Sequence, residues 1–180
     1  MVNNQIKLAC LARQHLIVSL LLLVSSINGQ NISKYYTSSL QEKGTLYFIL
    51  PQMGFENSNN KNKLIYDITY RTKNDTVTLN FSYFDKLDIT LDSIALVNVN
   101  QELSSSLEKL YIETKKSKWH YRYSSQFLFA DINTFFNQPG PPKIILYNRQ
   151  GTVELNIKTK TWKKQSSLIK KILALIKFNK

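Results

Sequence analysis

Few residues in this chain could do chemistry, and their spacing is informative. There are two histidines, His15 and His120, and one cysteine, Cys10. Beyond residue 29 only His120 remains. Cysteine nucleophiles and zinc sites built from several His or Cys ligands are therefore excluded there. A Ser-His-Asp triad would have to use His120. That residue lies in an alternating segment, on the face opposite Trp119, Tyr121 and Tyr123, and no nucleophile motif accompanies it. It reads as an exposed strand histidine. The glycines past residue 29 are Gly44, Gly54, Gly140 and Gly151, too scattered to cradle a phosphate. No cofactor and no metal are expected, and the balance leans away from an enzyme.

Carboxylates offer a second chemistry. Asp85, Asp88 and Asp92 are the densest acidic group. On a strand, Asp88 and Asp92 would share a face with Thr90 between them, an arrangement of hard oxygens that suits calcium. The glycine turn of a calcium loop is missing, so a solvated polar face is the simpler expectation. A hydrolase built on two acids, as in glycoside cleavage, would need two carboxyls brought together in a cleft.

Cations are the most pronounced feature. The net charge is +12. From Leu155 to Lys180 there are eight lysines and no acid. At roughly 100° per residue, Trp162, Leu168, Ile169, Ile172, Leu173, Leu175 and Ile176 fall in one arc. Lys163, Lys170 and Lys177 repeat every seventh residue on the other side, flanked by Lys164 and Lys171. This predicts an amphipathic basic helix over residues 161–178. Its apolar arc either covers a sheet or lies on an anionic surface. Farther upstream, Lys115 to Tyr123 interleaves cations with aromatics, which suits stacking on bases or sugars. It equally suits a hairpin with a basic turn, its Trp119, Tyr121 and Tyr123 facing inward. The candidate binding surface is thus Lys163, Lys170, Lys171 and Lys177, with Trp119 and Arg122. Its expected partner is an anionic membrane surface, a glycolipid or an envelope polymer.

The elements that must position these residues are mostly strands. Leu64 to Thr72 and Thr76 to Phe84 alternate apolar and polar residues around Lys73-Asn74-Asp75, which predicts an antiparallel hairpin. Lys143 to Tyr147 and Thr152 to Lys158 predict another, turning at Asn148 to Gly151. Leu46 to Leu50 reads as a buried strand, Gln52 to Lys63 as a mobile loop, and residues 30–43 as a loose arm or short helix. Leu87, Ile89 and Leu91 continue the strand pattern. Residues 100–111 fit a helix capped by Asn100, with a strand from Leu107 nearly as good. Phe127 to Phe136 fits a strand end followed by a short helix. The expected fold is α+β: a mostly antiparallel sheet built from hairpins, with the C-terminal amphipathic helix packed on it.

The opening segment bounds the compartment. Lys7 and Arg13 precede the apolar run Leu16 to Val24, and Ser25, Ser26, Asn28 and Gly29 follow. That order predicts a secretory signal peptide over residues 1–29, cleaved near Gly29. The run is too short to cross a hydrocarbon core of ~30 Å. Residues 30–180 then form a single domain with no cysteine and a charge of about +10, held by packing alone. An exported, periplasmic or surface-associated bacterial protein is expected. Nucleic acid is not an expected partner.

Overall fold

The alternating segments pair as their period of two demands. A computed structural model describes residues 32–57 and 62–179. A 3-10 turn, Ile32–Tyr35, leads into β1 (Tyr36–Gln41), β2 (Gly44–Asn57), β3 (Asn62–Arg71) and β4 (Thr76–Asp85). Then come β5 (Leu91–Val97), β6 (Glu102–Ser106), β7 (Glu108–Lys115) and β8 (Lys118–Leu128). Helix α1 (Phe129–Asn137), β9 (Lys143–Asn148), β10 (Gly151–Ile157) and helix α2 (Thr159–Phe178) complete the order. The signal-peptide segment lies outside the described residues, as do residues 58–61.

Among the described residues, ten strands pair antiparallel in one sheet, in the order β6-β5-β9-β10-β2-β3-β4-β8-β7, with β1 beside β2. The two end strands, β6 and β7, are halves of one extended run. That run pairs with β5 up to Ser106, passes Leu107, and pairs with β8 from Glu108. One stretch of chain therefore ties both ends of the sheet together, and the sheet curls into a nearly closed barrel. β2 also serves two neighbours along one edge. Its first half pairs with β1 and Phe55 and Glu56 pair with β10, with irregular register against β3 between them.

The inward faces of β3, β4 and β8 bury Tyr66, Ile68, Leu79, Phe81, Tyr121 and Tyr123. Helix α2 supplies Trp162, Leu168, Ile169, Ile172, Leu173 and Ile176 to the same core, with Leu175 at its margin. Six large apolar side chains at ~1.5–3 kcal/mol each make the docked helix a major contributor to stability. Trp162 is stacked on Phe136 at 5.4 Å and meets Phe135 and Phe55 edge-on. The helix therefore packs on the sheet, as its apolar arc predicts, and begins two residues before the expected Thr161.

Several local expectations change, each for a physical reason. Residues 102–106 and 108–115 are strands, not a helix. Leu103, Ser105 and Leu107 alternate with the exposed Glu102, Ser104 and Ser106, and pairing with two sheet ends decides for the extended form. Residues 32–41 form a turn and an edge strand. β2 runs on to Asn57, so the expected loop at 52–63 is mostly strand. Leu46 to Leu50 is buried on one side alone, with Phe48 and Leu50 exposed. Residues 86–90 leave the strand pattern and cross over the barrel, because the Ile89 and Leu91 amides donate to the Tyr121 and Tyr123 hydroxyls (2.8 and 3.2 Å).

Candidate functional site

Asp85, Asp88 and Asp92 do three different things. Asp85 is buried near the end of β4. Its Oδ2 accepts from the Tyr83 hydroxyl at 2.6 Å and from Asn62 Nδ2 at 2.8 Å, and its Oδ1 accepts from the Leu87 amide at 3.0 Å. A carboxylate so fully supplied with donors is a structural acceptor. Asp88 lies in the crossing segment, where its Oδ1 accepts from Tyr121 at 2.9 Å. Asp92 is exposed on β5, and its backbone carbonyl receives the Leu107 amide. Asp88 and Asp92 do not share a strand face, since β5 starts at Leu91. Among the described residues, no group of three or more His, Cys, Asp or Glu is placed to hold a metal ion.

The surrounding phenols are held strongly neutral. Burial, reinforced by the neighbouring Asp85, pushes the Tyr83 hydroxyl far above its ordinary pKa. Tyr121 is raised by burial and by Asp88, and Tyr123 by burial and the nearby aspartates. Each of these phenols therefore keeps its proton well above neutral pH.

His120 corrects its expected setting. It does face away from Tyr121 and Tyr123, yet it is only 6% exposed. Phe84 stacks on it at 4.4 Å, with the rings 9° from parallel, and Tyr111 meets it edge-on. Its Nδ1 lies 2.8 Å from Glu113 Oε1. Large cross-strand neighbours on the outer face cover it, an effect that alternation alone does not reveal.

The other candidates divide between two places. Trp119 is half-buried against the core cluster. Arg122 lies on the outer sheet face, ion-paired with Asp67 and 3.3 Å from Ser82 Oγ. The hairpin of β7 and β8 turns at Lys116 and Ser117, both at positive φ (51° and 59°), as a two-residue type I′ turn requires. Trp119 and Arg122 therefore belong to the β8 strand of this hairpin, Trp119 against the core and Arg122 on the outer face.

Those lysines do come together. With its apolar arc in the core, α2 leaves Lys163, Lys164, Lys171 and Lys177 exposed, with Lys170 half-exposed beside them. A seven-residue step is about 10.5 Å along a helix, so Lys163, Lys170 and Lys177 form a nearly straight row. No acidic residue lies on the helix. Gly54, at φ 135°, lets the helix sit this close to β2. A Cβ there would fall 2.9 Å from Thr161 Cγ2 and 3.3 Å from Ile157 Cδ1.

Two hollows lie among the described residues. Between sheet and helices, Phe55, Tyr66, Leu96, Ile132 and Trp162 help to line an apolar void of about 20 Å³. That is room for one water and far below the ~300 Å³ of a small-molecule site. An open polar cleft of about 350 Å³ lies between the crossing segment and the β9–β10 turn, lined by Asp88, Ile89, Thr90, Asn148, Arg149 and Gln150.

Compared with protein-family models, curated proteins and solved structures, the chain matches none.

Proposed function

We propose that this is an exported, non-catalytic protein of a bacterial envelope, acting by binding or as a structural part. The binding surface is the lysine face of α2, and the partner is an anionic surface or polymer of the envelope. One observation carries the reading. The helix spends its apolar arc on the core and presents its lysines to solvent. Attraction through such a face is electrostatic and acts over about one Debye length, ~8 Å.

Two further features support binding over catalysis. Asp67, Asp85, Glu113 and Glu154 are each occupied by a partner within the fold. The buried void is too small for a substrate, and the open polar cleft has one carboxylate, Asp88, in its lining where a carboxylate-based hydrolase needs two. Export rests on the order of charges, apolar run and small residues at the start of the sequence.

The test uses protein lacking residues 1–29, titrated with anionic vesicles and with soluble polyphosphate at rising salt. Binding at low salt that salt releases is expected. Each lysine near an anionic surface contributes ~1 kcal/mol. Replacing Lys163, Lys170 and Lys177 together by Gln then weakens binding roughly a hundredfold, with the unfolding midpoint unchanged. Binding that ignores salt and the triple substitution contradicts the reading. Export is checked by the mass of protein recovered from the source cells. Chains lacking the first 29 residues in the envelope fraction are expected, and cytosolic chains retaining Met1 overturn it.

A further inference from the structure

The lysine face contains one residue that charge does not explain. Phe178, the last residue of α2, is 91% exposed. A single exposed aromatic needs no explanation by itself. Its position relative to the lysines is what matters. At roughly 100° per residue, Lys163, Lys170 and Lys177 fall within about 40° of one another. Lys164 and Lys171 form a second row about 110° away. Lys160, Ser167 and Ala174 occupy the lane between, and Phe178, seven residues beyond Lys171, continues the second row. Phe178 is the one large apolar side chain among these lysine rows, and it stands at the C-terminal end of one of them, beside Lys177.

We infer that the anionic partner is a lipid bilayer, with Phe178 as an interfacial anchor beside lysines that meet the headgroup phosphates. This rests on the reading above, that the lysine face binds anions. A soluble polyanion satisfies lysines and offers a phenyl ring nothing. A bilayer offers phosphates at the level of the ammonium groups and an apolar boundary just beneath. The apolar arc of α2 is already committed to the core, so the helix does not lie in the membrane by that face. Attachment is then shallow: two lysine rows on the headgroups and one ring below them. One such contact is weak and reversible, and it adds to the charge attraction.

The experiment compares the protein lacking residues 1–29 with its Phe178→Ala variant. The probes are vesicles of phosphatidylcholine alone, vesicles containing phosphatidylglycerol, and soluble polyphosphate. Phe178 packs on nothing in the core, so the substitution spares the fold. Anionic vesicles are expected to bind the parent protein and to bind F178A roughly tenfold more weakly, with polyphosphate binding equal for both. The Phe178→Trp variant should retain vesicle binding and gain a blue-shifted emission component on binding. Equal vesicle binding by F178A overturns the anchor and leaves the lysine reading intact. Binding to polyphosphate without binding to anionic vesicles does the same. Failure to bind any anionic probe overturns both.

Discussion

The Tyr66 hydroxyl donates a hydrogen bond to Gln165 Oε1 at 3.1 Å, across the buried contact between β3 and α2. It is a directional contact in an interface made mainly by apolar side chains, and a bond of this kind favours one rotation of the helix about its axis. Rotation decides which side chains face water, so this bond bears on the lysine face directly. Tyr66→Phe removes the donor and keeps the ring. A loss of about 1–2 kcal/mol is expected, read from the urea midpoint at constant slope. An unchanged midpoint means that the helix is oriented by apolar packing alone.

Gly54 should resist substitution for two reasons at once. Its φ of 135° is unfavourable for any L side chain, and a Cβ would press on Thr161 and Ile157. Gly54→Ala is expected to cost about 1–3 kcal/mol. Gly140→Ala has a positive φ but open space around it, and should cost less. Equal effects in thermal unfolding would show that helix and strand are not in close contact at Gly54.

The type I′ turn at Lys116 and Ser117 is open to improvement. Both residues hold positive φ, which Asn and Gly tolerate far better. Lys116→Asn with Ser117→Gly is expected to raise stability by about 0.5–1.5 kcal/mol. A drop in stability would mean the turn is of another type.

Alkali should unfold the protein. Burial holds the Tyr66, Tyr83, Tyr121 and Tyr123 phenols above their ordinary value. The unfolded chain releases these protons near pH ~10, whereas the folded chain keeps them. Above that pH the unfolded state binds fewer protons, so stability falls as pH rises. Below about pH 10 the contribution is fully present. The urea midpoint is expected to be insensitive to these groups up to about pH 9.5 and to decline steeply beyond it. Phenolate absorbance from these tyrosines should appear together with loss of the sheet signal. Reversible ionisation of all tyrosines near pH ~10 with the sheet intact would contradict the buried network.

The strands and the closing helix were legible in the sequence because their periods are plain. Tyr66, Ile68 and Tyr70 alternate with Asp67, Thr69 and Arg71 in β3, and the apolar arc of α2 matches the residues found in the core. What escaped reading depends on distant partners. The stretch around Leu107 carries both helical and strand spacing, and pairing with β5 and β8 settles it. Asp88 sits in a patterned run that breaks because Tyr121 and Tyr123, more than thirty positions later, capture its neighbours' amides. His120 shows correct alternation and an unexpected burial, since Phe84 and Tyr111 reach it across strands. The lysine row was readable from its seven-residue repeat. The engagement of Arg122 was not, because its partners, Asp67 and Ser82, lie on other strands.

Amide exchange in α2 with and without anionic vesicles tests the central claim most directly. The claim is that the helix meets its partner with the lysine side while the other side stays in the core. Amides of Ile169, Ile172 and Leu173 are then expected to exchange as slowly on vesicles as in free protein. Faster exchange at these positions on binding would mean that the helix leaves the sheet to embed its apolar arc, and the account would be wrong.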